Sequence, residues 1–554
     1  MLRSFFGSLF HFGSRGGVAT AGPGTKEAIL QRLIDRAQDL AATRQFDEAR
    51  RVCGEILALK PDDGKTLMLL AHLQRAEGDL NAAKASVDKV IQLYPGLADA
   101  YCLRGDIHRA RRSFRSALQD YARAVEADPA LIEARMNQGA MHYMLGEFEK
   151  ALACAQRVLS GDPHNVAAQR NRGLMLRELG LVRDAEIALR EAVEQHPDYH
   201  EARCSLAMVL VDQGLFEEAR QHLNAVLDAD LSHNEARWQL SIAHLLSGCF
   251  RAGWRTYGSR LHRDDARRTP YSYPQWDGSN LRSGALLVYA EQGLGDDILF
   301  ASCIPDVLSR AKHCVVECDP RLVELFRRSF PAATIVGSKH DACPAWQAGG
   351  PEISAQIAAG SLPGIFRNEW SDFPGHTGYL VADPVKVGKW RTRLSQLGAG
   401  MKIGIAWTGG GIKTRRRLRS LRLLDLLPVL GVPGVQFVSL QYMESAAEIR
   451  EVRAAHGMQV HHWQEAIDDY DETAALVCAL DLVVSVCTAV VHLTGALGRP
   501  VCIMAPRSPE WRYLHAGDRL PWYPSARLFR QQHGQDWGPV IAGVRAELIR
   551  LRQA

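Results

Sequence analysis

Proline recurs at Pro61, Pro95, Pro129, Pro163 and Pro197, and every interval is 34 residues. Two further columns keep the same step. Ala49, Ala83, Ala117, Ala151, Ala185 and Ala219 form one, and Ala37, Ala71, Gly105, Gly139, Gly173, Ala207 and Ser241 form the other. Gly78, Gly146, Gly180 and Gly214 add a partial fourth column. Each column has a physical cause. Small residues let two antiparallel helices approach closely, glycine suits the left-handed residue of a tight turn, and proline stops the second helix from continuing. Such a chain must stack helical hairpins, each burying its apolar face against its neighbours.

The period, small-residue positions and proline resemble the tetratricopeptide repeat. The array spans residues 25–255, with about six repeats. Leu231 stands where the next proline is due and Gly253 where the next alanine is due, so a degenerate final unit caps the stack. A concave groove lined by the first helix of each repeat is expected to hold a polypeptide. One groove-type column reads Leu69, Leu103, Asn137, Asn171, Ser205, Gln239. Asn137 and Asn171 resemble the asparagine ladder of the O-linked N-acetylglucosamine transferase superhelix; a merely polar solvated face is the alternative.

Residues 256–283 break the pattern and read as a linker or adaptor. Beyond them, apolar strands at Ala285–Ala290, His313–Cys318, Lys402–Trp407, Val435–Leu440, Leu482–Val486 and Pro500–Met504 alternate with helix-length segments. Near-continuous apolar runs of this kind indicate parallel strands covered on both faces. The length available fits two Rossmann-like halves, 284–385 and 386–554, with a connecting helix at Trp390 to Leu397.

Three segments carry chemistry. Glu291-Gln-Gly-Leu-Gly-Asp-Asp-Ile298 follows a strand and opens a helix, where Gly293 and Gly295 permit close backbone approach and the helix N-terminus favours anions. It half-matches the dinucleotide fingerprint, but Ile298 takes the place of the third glycine, which disfavours a nicotinamide or flavin enzyme. Ile405-Ala-Trp-Thr-Gly-Gly-Gly-Ile-Lys413 is followed by Arg415, Arg416, Arg417 and Arg419, small residues and then cations, as a diphosphate cradle needs. A solvated basic loop is the bland alternative. Finally, Leu482-Val-Val-Ser-Val-Cys-Thr-Ala-Val-Val-His492 runs a buried strand into a helix, placing Thr488 and His492 one turn apart on one face. A structural histidine is the alternative reading of His492.

Together with Ala290-Glu-Gln-Gly-Leu-Gly-Asp296, Asp481-Leu-Val-Val-Ser, His492-Leu-Thr-Gly-Ala-Leu-Gly-Arg-Pro500 and Trp522-Tyr-Pro524, these segments resemble glycosyltransferase family 9, heptosyltransferase-like proteins, in the version with appended tetratricopeptide repeats. The resemblance implies an α/β GT-B fold after the all-α solenoid, and an inverting, metal-independent transfer from a nucleotide-sugar with no further cofactor. By position, Asp296 matches the general base, although Asp is equally favoured as a helix cap. Trp407, Thr408, Cys487, Thr488, Ala489 and His492 would line the donor site, Lys413 and Arg419 would stabilise the leaving group, and Gln441 is a further donor contact. The family usually has Asp where this chain has Cys487, a change that implies an altered nucleotide contact or a weakened site. Asp469-Tyr-Asp471 mimics a metal-binding D-x-D but reads as a loop in which Asp471 caps a helix.

The expected function is therefore transfer of a sugar to a protein held by the repeats, flagellin glycosylation being one setting where such chains occur. A glycan- or lipid-directed transferase and a non-catalytic scaffold are the alternatives. With 66 basic and 62 acidic residues, net charge +4, nucleic acid is not an expected main partner. The 12 cysteines contain no C-x-x-C pair and suit a reducing cytoplasm. No apolar stretch reaches the roughly 18–20 residues of a membrane span. Residues 1–24 read as a disordered tail. Their phenylalanines suggest a membrane-surface or docking segment or a cleaved signal as alternatives, but Gly7, Ser8 and His11 interrupt the apolar core.

Overall fold

The computed structural model describes residues 26–263, 271–281, 283–338, 350–411, 414–532 and 536–553. The tail expected at 1–24 and the cradle residue Lys413 lie outside the described residues. The chain forms two compact units divided between Leu179 and Gly180.

The first unit is all helical. Its hairpins are Lys26–Ala42 with Phe46–Leu59, Gly64–Ala76 with Leu80–Leu93, Ala98–Ala110 with Phe114–Ala127, and Ile132–Met144 with Phe148–Gly161, followed by Val166–Glu178. The small-residue columns sit where helices meet. Ala37, Ala71, Ala49, Ala83 and Ala117 are fully buried, and a Cβ on Gly105 would lie 2.7 Å from the Tyr121 ring. Tyr121 uses the space, burying its whole ring while its hydroxyl donates to Asp106 at 2.7 Å.

The turn inside each hairpin is left-handed, as the glycine column requires. Gly78, Gly146, Gly180 and Gly214 have φ between 77° and 86°. The structure extends that column at the same step. Gly248 (φ 80°) continues it, while Arg44 (φ 60°) and Arg112 (φ 58°) take up the left-handed conformation without being glycine. A fifth register was not read from the sequence. Tyr101, Arg135, Gln169 and Arg203, again 34 residues apart, donate to the carbonyls of Pro95, Pro129, Pro163 and Pro197 at 2.8–3.1 Å. These carbonyls follow helix ends, where backbone acceptors lack intrahelical donors.

The second unit begins with helices Val182–Gln195, His200–Gln213, Phe216–Ala229, Asn234–Leu246 and Phe250–Tyr257. The last is 8 residues long and runs into a 3-10 turn, Gly258–His262, so the final hairpin is shortened. Two parallel sheets follow. The first has β1 (Ala285–Tyr289), β2 (Cys314–Cys318), β3 (Thr334–Gly337) and β4 (Ile353–Ala358) in the order β3-β2-β1-β4. The second has β5 (Met401–Ala406), β6 (Val435–Ser439), β7 (Val460–His461), β8 (Leu482–Val486), β9 (Val501–Ala505) and β10 (Ala526–Arg530) in the order β10-β9-β8-β5-β6-β7. Every residue of β1, β2, β8 and β9 is buried, which is what two helix-covered faces demand.

Among the described residues no helix is long and apolar enough to cross a membrane. Residues 271–281 do not form a free tether. Gln275 bridges to Gln356 of β4, the Trp276 amide donates to the Gln356 carbonyl at 2.8 Å, and the Gln356 side chain donates to the Tyr273 carbonyl at 2.9 Å. The final repeat helices are equally built in. Trp254 donates from Nε1 to the Arg367 carbonyl at 2.7 Å and meets Trp511 edge-on, its ring centre 5.4 Å away.

Candidate functional site

Each sheet has one point where the chain reverses its direction of travel across the strands. In the first sheet β1 is followed by β2 and β3 on one side, and β4 returns on the other. In the second, β5 is followed by β6 and β7, and β8 returns opposite. Ligands of open parallel sheets bind in the crevice beyond the strand ends at such points. The segments around Gly293–Asp296, Trp407–Gly411 and Cys487–His492 follow strands β1, β5 and β8 at these two points.

At the first crevice, β1 ends in Ala290-Glu-Gln-Gly293 and enters the helix Leu294–Ala301. Gly293 is the N-cap, and Asp296, in the first turn, reaches back to it, its Oδ2 accepting from the Gly293 amide at 3.2 Å. Its Oδ1 accepts from Arg512 Nε at 2.6 Å, and a second Arg512 nitrogen joins the same oxygen. Asp296 is thus both a cap and one half of an ion pair. Arg512, its side chain 13% exposed, also reaches Gln292 Oε1 at 3.3 Å and Glu510 at 3.6 Å, and lies over the Trp511 ring. Beside it, Glu291 Oε1 accepts from Arg260 at 3.0 and 2.8 Å. Gly360, beyond β4, is required here, because its Cβ would lie 2.6 Å from both Glu291 and Gln292. Burial, with Asp296, Glu291 and Asp319 nearby, pushes the Asp297 carboxyl well above its ordinary range. Its bond from the Asp319 amide, 2.9 Å, works against that shift.

At the second crevice, Gln441 clamps the segment leaving β5. Its Oε1 accepts from the Trp407 and Thr408 amides, both at 3.1 Å, and its Nε2 donates to the Thr408 carbonyl at 2.8 Å. These bonds tie Gln441 to the backbone of the loop that it shapes. Trp407 is fully buried and bonded to Glu448, and Thr408 donates to the Leu421 carbonyl. Gly409 presses on Thr488, where a Cβ would lie 2.2 Å from its methyl. Gly410 is left-handed, and a Cβ there would meet Arg419 at 1.8 Å. Arg419 bonds the Gly409 carbonyl at 3.3 Å, Thr414 at 2.9 Å and Glu510 at 3.1 Å.

Cys487 and Thr488 close the other wall. Burial pushes the Cys487 thiol up to about 12, so it is a small neutral group in place of an acid. Thr488 is the N-cap of the helix Ala489–Ala496, with its hydroxyl 3.2 Å from that of Ser485. His492 lies one turn on, as expected, but it is not open to a ligand. It is 5% exposed and held between Tyr523 (3.1 Å) and Tyr513 (3.3 Å). Burial, then the Arg512 charge, lowers it to about 3, so the ring is neutral.

The two crevices meet. A Cβ on Gly295 would lie 3.1 Å from His492 and 3.5 Å from the Ala489 Cα, so Gly295 lets two helix N-termini touch. Across this junction runs a chain of alternating charge, Asp296–Arg512–Glu510–Arg419. Arg512, Glu510 and Tyr513 were missed in the sequence because Ser508-Pro-Glu-Trp-Arg-Tyr513 has no periodicity and reads as a polar loop. Arg415, left-handed at φ 52°, pairs with Asp212 of the helix His200–Gln213 at 2.8 Å.

The groove-type column is unevenly exposed. Leu69, Leu103, Ser205 and Gln239 are buried, and Asn137 and Asn171 are half-buried. Ser205 bonds the Glu201 carbonyl and Gln239 bonds Glu235 on their own helices. The D-x-D mimic also needs one correction. Asp469, and not Asp471, caps the helix Tyr470–Ala479, accepting from the Asp471 amide at 2.9 Å. Asp471 instead pairs with Arg328 and Lys386.

Tetratricopeptide repeat family models match residues 64–96, 90–164, 142–200 and 176–245. Protein FlbA of Caulobacter vibrioides (strain ATCC 19089 / CIP 103742 / CB 15) is 30% identical over 313 residues, 53% of this chain and 52% of FlbA. The chain thus spans about half the length of that curated relative. Among solved structures, MamA is 24% identical, covering 29% of this chain and 94% of its own, with a TM-score of 0.28. YrrB, described as a tetratricopeptide protein with an unusual peptide-binding site, is 20% identical, covering 33% and 95%, with a TM-score of 0.29. Residues 64–245 therefore carry tetratricopeptide repeats, and a region of parallel sheets and helices follows them.

Proposed function

We propose that the protein is a glycosyltransferase of the two-lobed GT-B kind, moving a sugar from a nucleotide-sugar to a polypeptide engaged by its repeats. The observation that carries this reading is the meeting of two switch-point crevices, one with a carboxylate and one with a glycine loop and buried arginine. In this reading the donor diphosphate lies on Gly409–Gly411 and Thr488, with Arg419 stabilising charge on the leaving group. Asp296 takes the proton from an acceptor hydroxyl as that oxygen attacks the anomeric carbon. The bond to the diphosphate breaks and its electron pair leaves on the phosphate oxygen, with inversion and without a metal. Arg512 must yield Asp296 for this step, because an ion-paired carboxylate is a poor base. Tetratricopeptide arrays bind protein partners, and tethering an acceptor to the same chain raises its effective concentration.

Asp296→Ala tests the proposal in an assay of sugar-nucleotide turnover by the full chain. The rate should fall by about 10²–10⁴-fold, the usual contribution of a positioned base. Transfer at the native rate would remove Asp296 from the reaction. One observation favours a second reading, a non-catalytic scaffold, since both Asp296 oxygens are already engaged. Nucleotide-sugar binding without turnover in the wild type would support it.

A further inference from the structure

Tyr442 is a large aromatic side chain left 53% exposed immediately after Gln441 at the end of β6. Its ring is not loose. The hydroxyl accepts from the Gly410 amide at 3.0 Å, and Cε1 would lie 3.9 Å from a Cβ on Gly409. One end of the ring is thereby fixed to the glycine loop while a face stays open to solvent. A rigid aromatic contributes contact area at little further entropic cost.

Its place in the sheet says what could cover it. The glycine loop follows β5 and touches Thr488 beyond β8, so a nucleoside attached to a diphosphate there must extend over a flanking strand. On the β8–β9 side the space carries Glu510, Arg512 and Ser508, bonded to Arg419, Asp296 and Asp212 respectively. On the β6 side it meets Tyr442. We infer that Tyr442 is the stacking platform for the nucleobase of the donor, an inference that rests on the transferase reading above. The bond to Gly410 makes one unit of platform and phosphate loop, so base and diphosphate are held at a set separation.

Isothermal titration calorimetry of the full chain with uridine, cytidine, adenosine, guanosine and thymidine diphosphates, and with inorganic pyrophosphate, separates the parts. The wild type should bind at least one nucleoside diphosphate and, more weakly, pyrophosphate. Tyr442→Ala should weaken the nucleoside diphosphate about tenfold, as loss of base stacking does, and leave pyrophosphate unchanged. Tyr442→Phe, which keeps the ring and drops the Gly410 bond, should bind the nucleotide more tightly than Tyr442→Ala. Equal nucleotide affinity in wild type and Tyr442→Ala would overturn the platform and leave the transferase reading standing. An equal loss of pyrophosphate affinity would also overturn it, because the side chain would then act through the loop. A wild type that binds none of these probes would overturn the transferase reading itself.

Discussion

Replacing Arg260 by Met should destabilise the region around β1 far more than loss of a surface charge would. The Arg260 and Glu291 side chains are only 6% and 5% exposed, with a closest approach of 2.8 Å. At that distance, and at an effective dielectric constant of about 20, their attraction is ~6 kcal/mol before desolvation. Without Arg260, Glu291 keeps one donor, Gln292 Nε2, and its Oε2 already lacks a partner. The Arg260 contacts to the Tyr257 carbonyl, Ser361 and the Tyr257 ring are lost as well. Truncating one half of a buried pair leaves the other charge uncompensated, which costs about 3–5 kcal/mol. Arg260→Met with Glu291→Leu removes both charges and should recover most of that loss. Hydrogen exchange by mass spectrometry, read at residues 285–290, reports the opening free energy locally. A loss below about 1 kcal/mol in Arg260→Met, or a double variant no more stable than the single one, would refute the reasoning.

Gly409→Ala drives a methyl into Thr488, so it should abolish calorimetric nucleotide binding, while circular dichroism stays native because the loop lies outside the strands. His492 is buried and His72 half-buried, and desolvation lowers both to about 3, so the unfolded chain takes up protons that the folded chain refuses. Stability should therefore be full above about pH 6.5 and fall towards pH 3, by up to ~1.4 kcal/mol per pH unit for each ring. His492→Asn should flatten the slope of thermal midpoint against pH; an unchanged slope would exclude His492 as a source. Arg112→Gly relieves a left-handed arginine at an exposed turn and should stabilise its repeat by about 0.5–1 kcal/mol in urea unfolding. A less stable variant would contradict the strain argument.

The helical array was legible because four constraints repeat in one register, and the structure places each where its residue types demand. Arg44 and Arg112 escaped notice because a turn position can be imposed by its neighbours even when its own residue disfavours it. The apolar strands were readable from composition alone. β4 was not, because Ser354 and Gln356 interrupt it, and Gln356 earns its burial only by binding the segment 273–276. β10 carries Arg527 and Arg530 at an open edge, and β7 is two residues long. At the crevices, glycine loops after strands announced themselves. Arg512 and Glu510 did not, since they reach Asp296 and Arg419 from more than 90 positions away in the chain.

The shared register of the turns, the small-residue contacts and the proline-carbonyl clamps also governs how such a chain can change in length. Removing or adding 34 residues anywhere in the array restores each partnership with an equivalent neighbour, as Tyr101 to Pro95 becomes Arg135 to Pro129. Any other increment placed inside a repeat breaks the partnerships that span it, putting bulk where Gly105 admits Tyr121 or a helical residue where the chain must turn. Length in this array is therefore quantised. Duplication or loss of whole periods is the route by which its reach can be adjusted, with point substitution left to adjust what each period presents.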